Sequence, residues 1–397
     1  MDGRAFGLRN TYSVVFSGGA LSAADAGSRL FGPVPAGSQP SWSMLANGAL
    51  LVVVTADRVQ YATPDCAGPA DLVAADKAGE RVLEGLAAEA SQRLAADGIA
   101  GDISLRKVNP GPVGSSSGSQ EDYLVARAGE FGRLADWLIP FLVTRPLICG
   151  AGAVRATPQG AEYCLSRPVS RTGTSRPPRA SRPGPFITAR DEPRGAPGLV
   201  RLQVNAGEPS MSETTTLLKA GATSLVLRMS EAGGPAPVPC LDQPVHAFEE
   251  ASRDITGRRS LLRLADGRTV TALSVQREYL TQATDFAARR GTDAATGRAL
   301  RLWQRTVDAI EAGNPDAIAR EIDWAVKYRL IERYRSATDL SLSAPEVAHA
   351  DLAYHDISRR RGLYYQLQRD GAVVRAVRDI DIFEAKTVPP RGRSPQA

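Results

Sequence analysis

One stretch near the middle of the chain alternates strictly between apolar and polar residues. Val200, Leu202 and Val204 stand at every second position, and Arg201, Gln203 and Asn205 stand between them. Successive side chains of an extended strand point to opposite faces, so this segment predicts a β-strand with one buried and one polar face. Antiparallel sheets tolerate such strands because a single covered face is enough for them. The chain is therefore expected to contain a sheet whose polar face could hold a ligand.

Helical patterns surround this strand. Apolar residues recur at spacings of three and four between residues 72 and 97, and Gly98 ends the pattern as a helix terminator does. Ser210 and Glu213 have the spacing of a capping box, which predicts a second helix from there to about Lys219. Further helical patterns cover 298–312, 317–335 and a segment from Ser343 onward, and strand patterns cover 12–16, 49–54, 102–106 and 122–126. This mixture predicts the α+β class.

Composition argues against several kinds of protein. No window reaches the roughly 18 to 20 apolar residues that span a bilayer, and no apolar run follows the N-terminus, so a cytoplasmic protein is expected. The four cysteines and three histidines show no metal-finger spacing. The formal net charge of +5 favours an acidic partner.

Two segments have the composition of loops. Residues 167–185 are rich in Arg, Pro and Ser and contain no acidic residue, as is typical of a solvated loop. No aromatic residue lies between these arginines for base stacking, which argues against a nucleic-acid partner. The tail at 386–397 is expected to be disordered.

Longer strings of the sequence carry more information than these patterns. They include VARAGEF, IPFLVTRPLICGAG, TPQGAEYCLSR, MSETTTLLKAGATSLVL, EIDWAVKYRLIERY and DLAYHDISRRRGLYYQLQRDG. Similar strings occur in the same order in the Pup ligases, and the chain resembles this family from about residue 5 to about residue 385. The resemblance implies a glutamine-synthetase-like fold, in which a curved antiparallel sheet carries helices on its convex face.

The resemblance also implies a reaction. Pup ligases attach the small acidic protein Pup to lysines of proteins destined for bacterial proteasomes. ATP phosphorylates the side chain of the C-terminal glutamate of Pup, and the lysine then displaces phosphate. The implied cofactors are ATP and Mg²⁺ on the concave face, since magnesium needs hard oxygen ligands. A ligase-like domain is expected over residues 1–385, without the small C-terminal domain of the family.

Acids and histidines of the family site are replaced in this chain. The resemblance places the replacements at Arg9, Thr11, Val54, Arg58, Gln60, Gln120 and Gln203. Arg9 and Thr11 stand where the family has the two acids of a Glu-Thr-Glu run. Val54 stands where the family has its catalytic Asp, and a valine side chain cannot accept a proton. No catalytic residue is thus expected to be retained, and metal binding is expected to be lost.

Other residues match the family and are candidates for binding. They are Glu121, Arg127, Arg190, Glu192 and Glu213. Arg190 is the first candidate for a carboxylate or phosphate because a guanidinium presents a fixed pair of donors. Asp57, three residues past Val54, is a candidate to replace the lost Asp.

These replacements predict a pseudoenzyme that binds Pup or another component of the pupylation and proteasome pathway. The alternative is an active ATP-dependent ligase that joins Pup, or another carboxylate, to a protein lysine through a remodelled site. The acids available to such a site are Asp57, Glu121, Asp122, Glu192, Glu208 and Glu213. A binder of nucleotide or nucleic acid that uses the segment 167–185 is a third hypothesis. Magnesium-dependent ATP turnover would separate the first two.

Overall fold

The computed structural model describes residues 4–31, 41–107, 118–126, 131–167, 186–191, 198–233 and 235–389. The helices are α1 (Ala23–Phe31), α2 (Pro69–Ala96), α3 (Phe131–Thr144), α4 (Pro146–Cys149), α5 (Glu213–Ala232), α6 (Pro244–Arg253), α7 (Ala272–Arg290), α8 (Ala294–Glu311), α9 (Asp323–Thr338), α10 (Pro345–Ala353), α11 (Leu363–Arg369) and α12 (Asp379–Thr387). The strands are β1 (Phe6–Phe16), β2 (Ser41–Met44), β3 (Leu50–Thr55), β4 (Arg58–Ala62), β5 (Ile103–Arg106), β6 (Ser119–Ala126), β7 (Ala153–Thr157), β8 (Gly160–Cys164), β9 (Ile187–Asp191), β10 (Leu199–Val204), β11 (Leu262–Arg263) and β12 (Thr269–Val270). The predicted α+β class is confirmed.

The main sheet is antiparallel and is built around β1. Within the described ranges it has eight strands in the order β2-β3-β4-β1-β6-β10-β9, and β5 pairs with the end of β1. β1 is 11 residues long, so its first half can pair with β6 while its second half pairs with β5. Two separate hairpins, β7-β8 and β11-β12, lie outside this sheet.

One face of the main sheet packs against helices. Leu8, Asn10 and Tyr12 of β1 are buried on this side, and Asn10 Nδ2 donates to Asp76 Oδ1 of α2 at 2.7 Å. From β10, Leu202 and Val204 join the same core, as their alternation predicts. Helix α5 is buried over most of its length, which is typical of a helix at the centre of a large core.

The opposite face is called the polar face here. It is defined by Arg9, Thr11, Gln60, Gln120, Asp122 and Gln203, which are joined by strand pairing and by the alternation along each strand. The alternating segment of β10 thus has its polar residues where the sequence predicts them. Strand pairing thus brings most of the positions that the resemblance assigns to a site onto one face of the sheet.

Helix ends follow the sequence patterns in part. The pattern at 72–97 is confirmed as α2, and Gly98 follows its end with a φ of +76°. The capping box at Ser210 and Glu213 is wrong, because Ser212 is the N-cap and accepts from the Thr215 amide. Ser210 Oγ instead accepts a hydrogen bond from Lys219 Nζ at 2.8 Å. The serine that local spacing selects as a cap, Ser210, therefore binds the side chain of Lys219 from the same helix instead.

Two later helices differ from the sequence patterns at or just before their first residue. The helix predicted from residue 317 begins at Asp323, after a 3-10 helix (Pro315–Ile318). The segment predicted from Ser343 onward is helical from Pro345, and its N-cap is Ala344, which has no side-chain oxygen to cap the helix.

Candidate functional site on the polar face of the sheet

Strand register brings the replaced positions together. Thr11 is paired with Gln60 across β1 and β4, and Gln60 Nε2 donates to Thr11 Oγ1 at 3.2 Å. Arg9 is paired with Gln120 across β1 and β6. Residues directly opposite each other in antiparallel strands have Cβ atoms about 5 Å apart, so these four side chains are close neighbours.

Amide side chains continue this surface towards β9 and β10. Gln120 Nε2 donates to Asn205 Oδ1 at 2.6 Å. Gln203 is paired with Asp122, and its Oε1 accepts from Thr188 Oγ1 at 3.3 Å. An amide can both donate and accept, so these residues support a hydrogen-bond network without adding charge.

Arg9 and Asp122 are the charged groups at the centre of the polar face. Arg9 Nε and Asp122 Oδ1 are buried, and neither atom has a hydrogen-bond partner within the described part of the chain. Burial raises the pKa of the Asp122 carboxyl, although the positive charge of Arg9 and a hydrogen bond from Gln203 act in the opposite direction. The site therefore offers one unsatisfied donor and one carboxyl with an increased affinity for its proton.

Val54 lies at the end of β3, where the strand register is irregular. Between β3 and β4 the pairing shifts from Val53 with Val59 to Thr55 with Arg58, which leaves Val54 unpaired in a bulge. Its side chain is 39% exposed, so it is not a core residue. Bulges are common beside binding sites because they redirect a side chain.

Asp57 lies in the turn after this bulge. Its Oδ1 accepts a hydrogen bond from Thr55 Oγ1 at 2.6 Å, and its backbone oxygen accepts from the Val14 amide. These contacts hold Asp57 within the β3-β4 turn, and the structure does not bring its carboxylate next to Arg9 or Asp122 through any contact of the described residues.

Arginines extend the polar face beyond its defining residues. Arg58 is paired with Ser13, and Arg190 is paired with Arg201. Asp65 accepts two hydrogen bonds from Arg201, both at 2.9 Å, in a bidentate ion pair. Arg190, the first candidate from the sequence, is exposed at the β9 edge of the sheet.

Two predicted binding residues lie elsewhere. Glu121 points to the helix-packed face, where both of its oxygens accept from Arg145, at 2.6 and 2.9 Å. Glu213 accepts from the Ala376 and Val377 amides at 2.7 and 3.1 Å. Both carboxylates are buried and are engaged in holding the scaffold, so the structure does not place them at the polar face.

The remaining candidates are divided between scaffold and undescribed segments. Glu208 accepts a hydrogen bond from the Arg167 amide at 2.9 Å, and its carboxylate contacts none of the described residues that define the polar face. Arg127, Glu192, and the segments 168–185 and 390–397 lie outside the described residues. Of the acids proposed for a remodelled site, Asp122 is the one that the described part of the chain places on the polar face.

Two residues of this surface were not selected from the sequence. Asp65 follows β4 by three residues, and Thr188 is the second residue of β9. Asp65 could have been found from its position just after the Tyr-Ala-Thr string. Thr188 carries no signal that separates it from any other strand threonine.

The polar face does not fit a magnesium ion. No group of three or more His, Cys, Asp or Glu side chains is arranged to hold a metal among the described residues. The segments outside them add only Asp2, Glu130 and Glu192 as acids, and no Cys or His. Mg²⁺ requires near-octahedral oxygen ligands, usually including carboxylates. Arg9 and a carboxyl with a raised pKa do not supply such a set.

The described helices include none with the length and apolar character that a bilayer crossing requires.

Comparison with known protein families gives a match over most of the chain. The family model described as Pup-ligase protein matches residues 22–394. A Pup–protein ligase from Kribbella flavida is 50% identical over 397 residues, which cover 98% of this chain and 87% of that protein.

Solved structures agree with this match. A crystal structure of the complex between the prokaryotic ubiquitin-like protein Pup and its ligase PafA has a TM-score of 0.87 and 35% identity, and covers 98% of this chain and 79% of that one. A structure of the Pup ligase PafA in complex with ADP has a TM-score of 0.80 and 35% identity, and covers 94% and 82%. The likeness confirms the expected glutamine-synthetase-like fold.

Proposed function

The chain belongs to the Pup-ligase family, and from that premise we propose that it binds Pup and joins Pup to an amine of another protein in an ATP-dependent ligation. The observation that carries this proposal is the identity of half of all residues with a relative named Pup–protein ligase. That similarity supports the alternative drawn from the sequence, an active ligase with a remodelled site, over the pseudoenzyme.

Ligation of this kind forms one bond in two steps. A carboxylate takes a phosphoryl group from ATP, and the amine then displaces phosphate to form the amide. The amine must lose a proton before it attacks. Asp122 is the carboxyl of the polar face suited to accept that proton, because its raised pKa increases its basicity as a carboxylate. Arg9 would neutralise negative charge on the phosphate.

A specific observation favours a second candidate, in which the chain binds Pup without ligating it. The polar face carries Arg9, Thr11, Gln60, Gln120 and Gln203 where the resemblance leads one to expect acids and histidines. Loss of a general base alone typically lowers the rate by about 10² to 10⁴. A protein of this kind would regulate pupylation by holding Pup or an active ligase.

The two candidates separate in one assay. Purified chain is mixed with fluorescent Pup, ATP and a lysine-bearing protein, and both binding and conjugate formation are followed. Conjugates from the wild-type chain, reduced at least about 10²-fold by Asp122→Asn, are expected for the ligase. Asp65→Asn is the matched control, since Asp65 is an acid of the same surface that pairs with Arg201. Binding without conjugates would establish the second candidate, and absence of Pup binding would contradict both.

A further inference from the structure

Arginines outnumber carboxylates on and beside the polar face. Arg9, Arg58, Arg190 and Arg201 lie on strands of this surface, and the carboxylates on or beside it are Asp57, which pairs with Arg58, Asp65 and Asp122. Asp65 is already paired with Arg201 in a bidentate contact. Burial also disfavours the charged form of Asp122. The surface is therefore positive, which favours anions over metal ions.

Arg9 has an unsatisfied donor at the centre of this surface. Its Nε is buried, and no acceptor reaches it from the described residues. A buried donor without an acceptor is unfavourable, so the site is more stable when an oxygen atom occupies it. Asp122 interacts with Arg9 through charge, yet its Oδ1 also has no hydrogen-bond partner in the same described set.

The neighbours of Arg9 on the polar face have small side chains. On the polar face, Gly7 precedes it by two residues on β1, and Ala62 is paired with it from β4. Neither residue has a side chain beyond Cβ. A Cβ atom at position 7 would lie 3.2 Å from Cβ of Asp122, so a larger residue there would crowd this acid.

A hydroxyl group adds a second donor. Thr11 lies two residues after Arg9 on the same face, and its Oγ1 accepts from Gln60 Nε2. A threonine hydroxyl that accepts one hydrogen bond still has its own proton to donate. Arg9 and Thr11 thus provide a charged fork and a neutral donor along one strand.

We infer that the polar face binds a phosphate group directly through Arg9 and Thr11, with no divalent cation between the protein and the phosphate. A guanidinium offers both positive charge and paired N–H donors to a phosphate. The two properties that a magnesium ion supplies to a polyphosphate, charge and position, thereby come from the chain itself. This inference rests on the same surface as the proposed function and defines how that surface holds its nucleotide.

The experiment is calorimetric titration of the full chain with ATP and with inorganic tripolyphosphate, each in excess magnesium and in EDTA. Glutarate serves as a carboxylate probe. We expect the phosphate probes to bind both the wild type and the control variant Arg268→Gln in EDTA, with Kd values within about twofold of each other. Arg268 is an exposed residue beside β12. Arg9→Gln should weaken binding at least tenfold, or about 1.4 kcal/mol.

The Arg9→Lys variant is the control for the possibility that Arg9→Gln loses affinity because it fails to fold. It keeps the charge but not the paired donors, so its affinity should fall between those of the wild type and Arg9→Gln. A requirement for magnesium, wild-type affinity in Arg9→Gln, absence of phosphate binding, or binding of glutarate alone would each overturn the inference. Pup binding, measured on the same preparation, tests the proposed function separately, because Pup could bind a chain that takes no phosphate.

Discussion

Glu121 and Asp122 are neighbours on β6, and their side chains point to opposite faces of the sheet. Both are buried, at 4% and 7% exposure. Glu121 is held by two hydrogen bonds from Arg145 and one from the Tyr123 hydroxyl. Asp122 has an oxygen with no partner among the described residues and a raised pKa. Equal burial with unequal partnering distinguishes a charge that stabilises the fold from one that is available to a ligand.

The same distinction holds elsewhere on the helix-packed face. Lys107 Nζ donates to Asp76 at 2.5 Å, to Glu80 at 2.8 Å and to the Ser210 carbonyl at 2.9 Å. All three protons of the ammonium group are thus used. Lys107 and Glu121 of the helix-packed face thus have partners for their buried charges, whereas Arg9 Nε and Asp122 Oδ1 on the polar face have none among the described residues.

The largest effect is expected from removing the charge of Glu121. Glu121→Gln leaves the Arg145 guanidinium buried without a counter-charge, and such a loss costs about 3 to 5 kcal/mol of stability. Asp122→Asn should cost less than about 1 kcal/mol, since it replaces a carboxyl whose charged form is already disfavoured. Urea denaturation followed by circular dichroism measures both. Equal losses for the two variants would break the comparison between the faces.

Restoring acids to the polar face should change its ligand preference. A variant with Arg9→Glu, Thr11→Glu, Val54→Asp and Gln60→Glu would present several hard oxygen ligands on one surface. We expect ATP to bind this variant at least tenfold more tightly in magnesium than in EDTA, a difference of about 1.4 kcal/mol. The wild type and the single variant Val54→Asp are the controls. If the fourfold variant remains indifferent to magnesium, the strand positions do not form one metal site.

Sequence patterns predicted the sheet face better than the roles of single residues. Alternation is a local property, so Gln203 could be assigned to a polar face from β10 alone. Because Glu121 matches the family strings, it was predicted to bind a ligand. Its position in the alternation along β6 was the better indicator of which face its side chain occupies. Gln120 pairs with Arg9, and the next residue must face the other way. The partner that determines the role of Glu121 is Arg145, which lies between α3 and α4. Local sequence patterns around Glu121 cannot predict this contact.

The pH dependence of stability should reflect Asp122. Its folded-state pKa is raised above the unfolded value of about 3.9, so the native state binds more protons than the unfolded chain in this range. Stability should therefore fall as pH rises from about 3.9 through the folded pKa. The difference between wild type and Asp122→Asn in melting temperature across this range isolates the effect, which should be well below that of Glu121→Gln. A wild-type melting temperature that rises relative to that of Asp122→Asn as pH increases through this range would reverse the assigned direction.

The smallest effect is expected from a surface acid with the opposite shift. Asp379 accepts from Arg375 at 2.8 and 3.0 Å and also from Arg81, and these contacts lower its pKa to about 2. Its side chain is 67% exposed, so solvent screening limits the contribution to about 0.2 to 1 kcal/mol. That contribution is present above the unfolded pKa of about 3.9 and is lost as pH falls towards 2. Asp379→Asn should therefore destabilise slightly at neutral pH and progressively less as pH falls through about 2. Salt at 1 M should also remove the difference, because it screens exposed charges, whereas the Asp122 effect should survive it. If salt abolished both, burial would not be what separates the polar face from the surface.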